Sequence, residues 1–487
     1  MADIYKKIPM LISTTLDHYC NGPPQPSWDL KFHLMFQLRK SFTDDFIDLT
    51  IEQKQESSRL PVPIPAGITI IKSKVDNEYR HKAQVHLDKI LKPYEHVLDT
   101  EWKILKEDGI AADWIQVPDD GWERRVVRKT IFFLHGGAYF LSSKDRHVNI
   151  TSTLAKKADA RVFAINYRLA PQNQFPAALQ DALAAYMYLL SPPKDAGFEP
   201  LDPKNIFIAG TSAGGGLSIA LGLALRDAGL PMCAGIIGWA PWVDLTHSSP
   251  SFLSNKYDNI DFVNILLTMP SIIHDKNNPR VTQVEIDYIE KAAALSEKIK
   301  KQNVKPKIWH DSFDRPEGRM QMYVPNEGLA IPYVSPMLAE SLGDLPPLYL
   351  MAGGAERLLE EIIYFAHRSA EPTKYKGPSY NAGKFEKSPF HTPTNTTLEI
   401  YEEMPHVFQM FNSHACIEIS YKHTAEFINR VLDSTNKPLP PSSFNRVNDK
   451  EEISPLNEHD KEVLKWEYFG IVPSFDLSAF KVPSRKL

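Results

Sequence analysis

Between residues 129 and 246 the apolar positions follow two alternating rhythms. Short continuous runs rich in β-formers, "TIFFL", "RVFAINY", "NIFIAG" and "AGIIGWAPW", are separated by stretches in which apolar residues recur every three or four positions, "NITSTLAKKA", "PAALQDALAAYMYLL" and "SAGGGLSIALGLALRDAG". A strand apolar throughout suits burial on both faces, and the helical spacing between such strands predicts right-handed βαβ crossovers on a parallel sheet. The rhythm lapses from about 247 to 330, where "VTQVEIDYIEKAAALSEKIKKQNV" predicts one long helix inside an insertion. It resumes with strand-like "PPLYLMAG", helical "ERLLEEIIYFAHRSA", strand-like "TTLEIYEEM" and helical "CIEISYKHTAEFINRVLDS". The polar, Pro- and Gly-bearing stretch 371–395 reads as a surface loop.

Outside this block the pattern is less regular. Residues 1–125 are mixed, with helical spacing in "DLKFHLMFQLRKSF" and a Pro-rich connector in "RLPVPIPAGI". After 435, "NKPLPPSSFNRVNDKEEISP" reads as a linker, and the apolar and aromatic residues of "VLKWEYFGIVPSFDLSAF" predict a tail that docks on the body.

Composition narrows the function classes. The chain has 487 residues, 43% hydrophobic and 24% charged, with a formal net charge of −5. That is globular composition without a basic stripe for nucleic acid. The three cysteines, Cys20, Cys233 and Cys416, are too few and too scattered for a disulfide framework or a zinc site, and suit a reducing compartment. Pro9 and the polar run at 13–15 interrupt the N-terminus as a signal peptide, and no segment supplies some 18 consecutive apolar residues. A cytoplasmic protein with no stable membrane insertion is the expectation.

Chemistry enters at four turns. Gly210-Thr211-Ser212-Ala213-Gly214 follows a strand and opens an apolar helix, the setting in which Gly-x-Ser-x-Gly forms a nucleophile elbow. A serine hydroxyl needs an oriented base, and His406 in "MPHVFQMF" lies just past a strand, at an edge where α/β sheets expose catalytic groups. In the chain order Ser, acid, His, Glu356 occupies the turn after "LYLMAG". A glutamate there is also what a helix dipole favours in a first turn, so the residues alone leave both readings open. Glu360 and Glu361, a turn further on, are expected to face solvent. Acyl transfer builds an oxyanion that backbone N–H groups must meet. The glycines of "HGGAYF" (Gly136 and Gly137) and the N–H of Ala213 are the expected donors, with His135 bracing the loop. Tyr139, Trp239, Trp242 and Phe252 are candidates to line an apolar substrate pocket or to be core.

"LHGGAYF", "NYRLAPQNQFPAALQDA", "GTSAGG", "APWVDLTHSSPSF", "PYVSPMLA", "LPPLYLMAGGAERLLEE" and "MPHVFQMF" stand in the order seen in the hormone-sensitive-lipase-like branch of the α/β hydrolases, which the chain resembles over about residues 125–435. The resemblance implies an eight-stranded, mostly parallel sheet flanked by helices, a helical cap partly built from the N-terminus, and esterase or lipase activity. Carried over by position, Ser212 matches the nucleophile and His406 the base, while Gly136, Gly137 and Ala213 match the oxyanion donors. Two positions depart from the pattern: Ala138 stands where a third glycine is usual, and Glu356 where an aspartate is. The chain then divides into an N-terminal region contributing to the cap (1–125), a catalytic domain with its insertion at about 247–330 (126–435), and a linker with a C-terminal tail (436–487). The expected activity is hydrolysis of short-acyl or acetyl esters of an apolar alcohol through an acyl-enzyme. It needs no metal or cofactor, and its partner is the small-molecule ester. The alternatives are a non-catalytic small-molecule receptor on the same scaffold, and a sterol or secondary-metabolite deacetylase or lactonase.

Overall fold

The computed structural model describes residues 5–98, 100–118, 129–263, 281–302, 320–375, 377, 388–435, 437–457, 460–461, 467 and 469–471. Its frame is one mixed sheet with the strand order β1-β2-β4-β3-β5-β6-β7-β8-β9-β10. The strands are β1 (Thr69–Val75), β2 (Ile110–Gln116), β3 (Thr130–Leu134), β4 (Arg161–Ile165), β5 (Ile206–Thr211), β6 (Gly235–Trp239), β7 (Leu348–Gly353), β8 (Thr396–Tyr401), β9 (Ser443–Val447) and β10 (Ile453–Pro455). From β4 through β9 neighbouring strands run parallel, while β1, β2 and β10 pair antiparallel at the two ends.

Burial on both faces explains the continuous apolar runs. In β7 Leu348, Leu350 and Ala352 enter one core, while Tyr349 and Met351 enter the other. On the first face pack α4 (Asn77–Leu91), α6 (Ala177–Leu190), α7 (Ala213–Ala228) and α9 (Leu359–Ala370). On the second pack α5 (Val148–Ala158) and α10 (Ala415–Leu432), which place Leu154 and Phe427 against the strands. Three helices precede the sheet: α1 (Ile8–Cys20), α2 (Leu30–Asp45) and α3 (Ile51–Arg59). The expected long helix of the insertion is α8 (Gln283–Gln302). The surface loop expected at 371–395 lies partly outside the described residues.

Among the described residues the sheet has ten strands rather than eight. The stretch expected as a linker supplies β9, which pairs parallel with β8 from Thr397↔Ser443 to Tyr401↔Val447, and then turns back as β10. An uncovered β8 would present a row of unpaired N–H and C=O groups, which an edge strand satisfies whatever its hydrophobicity. The local cue was the turn: Asn448 Oδ1 accepts from Lys450 N at 3.0 Å and Glu452 N at 2.9 Å. Beyond the hairpin, Phe469 stacks on Tyr364 of α9 at 4.3 Å, and Gly470 N donates to Ser248 Oγ at 2.8 Å, while most of the tail expected to dock lies outside the described residues.

Candidate active site

Because β3, β5, β6, β7 and β8 are parallel, the turns leaving them meet at one edge of the sheet. That edge collects Gly136, Gly137, Ser212, Glu356 and His406.

Ser212 sits between β5 and α7 with φ 53° and ψ −123°, a conformation that costs a non-glycine residue of order 1–3 kcal/mol and persists only when its surroundings dictate it. Steric packing dictates it here. A Cβ on Gly210 would lie 2.2 Å from Gly214 O, and a Cβ on Gly214 would lie 2.1 Å from Leu134 O. Glycine is therefore required on both sides of the serine by backbone approach. The turn is tied by Ser212 N donating to Trp239 O at 2.9 Å and by Ser212 O accepting from Trp242 N at 3.0 Å. Ser212 is half-buried, and the Ala213 N–H is the first of α7.

The loop after β3 closes against this elbow. A Cβ on Gly136 would come within 3.2 Å of Ser212 Cβ, and Gly137 holds φ +116°. Ala138, Tyr139 and Ser142 also hold positive φ, at 50°, 63° and 75°. Ala138 thus keeps a glycine-like backbone in spite of its methyl. His135 braces the loop: its Nδ1 lies 2.7 Å from Gly136 O, its ring stacks on Tyr167 at 4.2 Å, and its carbonyl accepts from Tyr167 Oη at 2.7 Å. Burial pushes its pKa down to about 3, so the imidazole is neutral. Ser58 of α3 also supports the loop, accepting from Ser142 N at 2.9 Å. No periodicity or spacing in the sequence pointed to Ser58.

Opposite the elbow, His406 Nδ1 lies 3.3 Å from Glu356 Oε1, and Glu356 Oε2 accepts from Gly353 N at 2.7 Å. Both side chains are buried. Burial raises the Glu356 pKa, and the adjoining His406 opposes that rise. Among the described residues no hydrogen bond joins Ser212 Oγ to His406. The loop carrying His406 is held by α2 and its approach: Trp28 Nε1 donates to Glu403 O at 2.8 Å, and Ser27 N donates to Glu403 Oε2 at 2.7 Å.

Of the two neighbouring glutamates expected to face solvent, Glu360 is half-exposed and Glu361 is not exposed at all. Glu361 is fully buried and its Oε1 accepts from Val243 N at 2.9 Å and Asp244 N at 3.1 Å. Burial, reinforced by Asp244, lifts its pKa well above the usual carboxylate range. Glu360 Oε2 accepts from Ser251 N at 2.7 Å. The helix pattern misled because α9 is covered on nearly every side, and a carboxylate can be buried where backbone donors meet it. Arg357 completes the same seam. It donates to Phe252 O and Ser254 O at 2.9 Å each, reaches the Asp258 carboxylate, and offers its own N–H to Asp261 Oδ2 at 2.8 Å.

The four pocket candidates split between the two faces. Tyr139, Trp242 and Phe252 belong to the first core, where Tyr139 stacks on Tyr323 at 3.8 Å and Phe252 on His247 at 3.9 Å. Trp239 belongs to the second core, edge-on to Tyr421 at 5.1 Å, and is a packing residue there. Alternation along β6 turns its ring away from the others, which the sequence position near Trp242 concealed. Among the described residues the buried Tyr139 and Tyr323 hydroxyls and Trp242 Nε1 have no hydrogen-bond partner.

Comparison with known proteins bears on the fold that carries these turns. A family model described as the α/β hydrolase fold covers residues 131–279. An acetyl-hydrolase of Streptomyces hygroscopicus is 38% identical over 145 residues, 30% of this chain and 44% of that protein. An esterase of Acinetobacter venetianus is 35% identical over 126 residues, 26% of this chain and 39% of that protein. The chain therefore spans less than half the length of these curated relatives. A crystal structure of EstE5, soaked with p-nitrophenyl butyrate, superposes with a TM-score of 0.50 at 21% identity, over 81% of this chain and 98% of that one, a likeness of fold. The ordered motifs, the parallel sheet and the family model matched over residues 131–279 show the α/β-hydrolase fold, and over that core the chain is similar to esterases and acetyl-hydrolases.

Proposed function

We propose that the protein hydrolyses carboxylic esters through an acyl-enzyme, with Ser212 as nucleophile, His406 as general base and then acid, and Glu356 as the orienting carboxylate. The observation that carries this reading is a strained serine and a buried His406–Glu356 pair, 3.3 Å apart, on turns at one sheet edge. His406 Nε2 takes the Ser212 proton while Nδ1–H stays on Glu356, whose charge offsets the imidazolium as it forms. The alkoxide attacks the ester carbonyl. The N–H groups of Gly136, Gly137 and Ala213 meet the developing oxyanion from rigid backbone, which costs no reorganisation at the moment of reaction. Collapse expels the alcohol, protonated by His406, and water repeats the sequence on the acyl-serine. Glutamate fits the acid's place because Gly353 N fixes one oxygen and leaves the other for the histidine.

The relatives are named acetyl-hydrolase and esterase, which agrees with a short acyl group. The Ala138 methyl and the buried Tyr139 ring beside the oxyanion loop narrow the space for a longer one. The receptor alternative dispenses with a general base, and the His406–Glu356 contact gives it no support. The test is labelling with a fluorophosphonate followed by peptide mapping, together with turnover of p-nitrophenyl acetate, butyrate and palmitate. Label on Ser212, and butyrate faster than palmitate, are expected. Label elsewhere removes the nucleophile, and palmitate faster than butyrate removes the short-acyl preference.

A further inference from the structure

Helix α1 is amphipathic with its faces inverted. The side turned to the protein carries Lys7, just before the helix, which reaches Ser41 Oγ and Asp45 at 2.5 Å each, the buried Thr14, the half-buried Met10 and Leu11, and the half-buried His18, whose Nδ1 lies 3.2 Å from His33 Nδ1. The side turned to solvent carries Ile8, Ile12, Leu16 and Tyr19, which fall within an arc of about 80° at 3.6 residues per turn. Tyr5 continues the stripe one turn earlier, and all five are between 43% and 74% exposed. Scattered exposed leucines need no explanation, but a contiguous stripe on a helix whose polar side is buried does. In water alone the opposite orientation would be favoured.

We propose that α1 is a docking helix for the apolar surface of a lipid–water interface. The stripe exposes roughly 500 Å² by side-chain size, the scale of a functional patch. A stable dimer interface takes about 800 Å² from each partner, so a second copy would be under-supplied by this face. The stripe holds no charge, and tyrosine at either end with aliphatic residues between suits a boundary where headgroups meet acyl chains. Helix α1 lies along α2, and the Ser27–Trp28 approach to α2 grips Glu403, three residues from His406. The helix pair α1–α2 is thereby tied to the loop that carries His406. No helix among the described residues is long and apolar enough to cross a membrane, so the contact is peripheral.

The experiment is co-flotation of the full chain with zwitterionic phosphatidylcholine vesicles, which does not depend on the catalytic assignment. The wild type is expected to float, equally at about 0.15 M and about 1 M salt, because screening that shortens the Debye length from about 8 Å to about 3 Å leaves apolar contact intact. Ile12→Glu/Leu16→Glu is expected to reduce bound protein by at least about tenfold, since two buried aliphatic side chains are replaced by charges. Ile12→Gln/Leu16→Gln removes the apolar contact without adding charge and is expected to lose binding as well. Both variants should keep the wild-type unfolding midpoint, because the positions are exposed. Failure of the wild type to float, binding abolished by salt, or equal flotation of the glutamine variant each overturn the proposal. A wild-type dimer in sedimentation that either variant converts to monomer overturns it in favour of a second copy.

Discussion

The turn after β5 and the turn after β7 stand two strands apart on one sheet edge and are built from different materials. The first is backbone against backbone. Gly210 and Gly214 approach so closely that no other residue fits, and the strain on Ser212 is imposed by sterics that pH and salt do not alter. The second is held by carboxylates. Glu356, Glu360 and Glu361 accept from Gly353, Ser251, Val243 and Asp244, and Arg357 gathers the carbonyls of Phe252 and Ser254. Rigidity made of glycine contacts leaves its mark in a short motif, whereas the carboxyl groups of Glu360 and Glu361 and the guanidinium of Arg357 depend on partners about a hundred residues away. The two turns should therefore break differently.

The largest effect is expected at the elbow. Ser212→Ala should reduce ester turnover by about 10⁴- to 10⁶-fold, the scale of losing a triad nucleophile, with an unchanged unfolding midpoint. Residual turnover within tenfold of wild type would remove Ser212 from the chemistry. Next comes the acid turn. Glu356→Gln should lower kcat by about 10³- to 10⁴-fold with little change in KM, since the amide cannot stabilise the imidazolium or fix its tautomer. Full activity in that variant would mean that another carboxylate orients His406.

A smaller effect separates the seam from the chemistry. Glu361→Ala strands the N–H groups of Val243 and Asp244 and should cost about 2 kcal/mol or more of stability, read by denaturant unfolding. Glu361→Gln keeps the acceptor and should behave oppositely to a lost ion pair. The folded pKa of Glu361 lies above its usual 4.5, so the folded protein holds a proton that the unfolded chain releases. Stability from this group is complete below pH 4.5 and is lost as pH rises through the folded value. The glutamine variant should match wild type in acid and show a shallower decline in alkali; a steeper decline would show that Glu361 is ionised in the fold. The smallest change concerns the loop brace. Ser58→Ala removes the acceptor for Ser142 N and should lower kcat by about three- to tenfold, the value of one hydrogen bond of about 1 kcal/mol. Activity equal to wild type would show that the positive-φ residues Gly137, Ala138, Tyr139 and Ser142 hold without α3.

The strands and helices of 129–246 were legible because each carries its own period, and Ser212 because strand, glycine spacing and helix are contiguous. Glu356 and His406 could be nominated from their post-strand turns, but their pairing across 50 residues rests on the neighbouring placement of β7 and β8. Trp239 shows the limit in the other direction. Three residues from Trp242, it packs on the opposite face, because strand alternation decides the side and composition does not. Strand β9, next to the edge strand β10, was missed because it is mostly polar and half-buried, so hydrophobic patterning does not mark it.

By itself, the sequence determined the parallel βαβ core, the elbow serine and the glycine-rich loop before it, since these depend on local backbone sterics and on periods of two and 3.6. Only the tertiary structure decided that ten strands make the sheet, that Glu361 is buried, that Arg357 ties the acid turn to residues 252–261, and that α1 turns its apolar side outward. Those depend on which distant donor meets which acceptor once the chain has folded, and the free energy of a buried polar group is set by its partner.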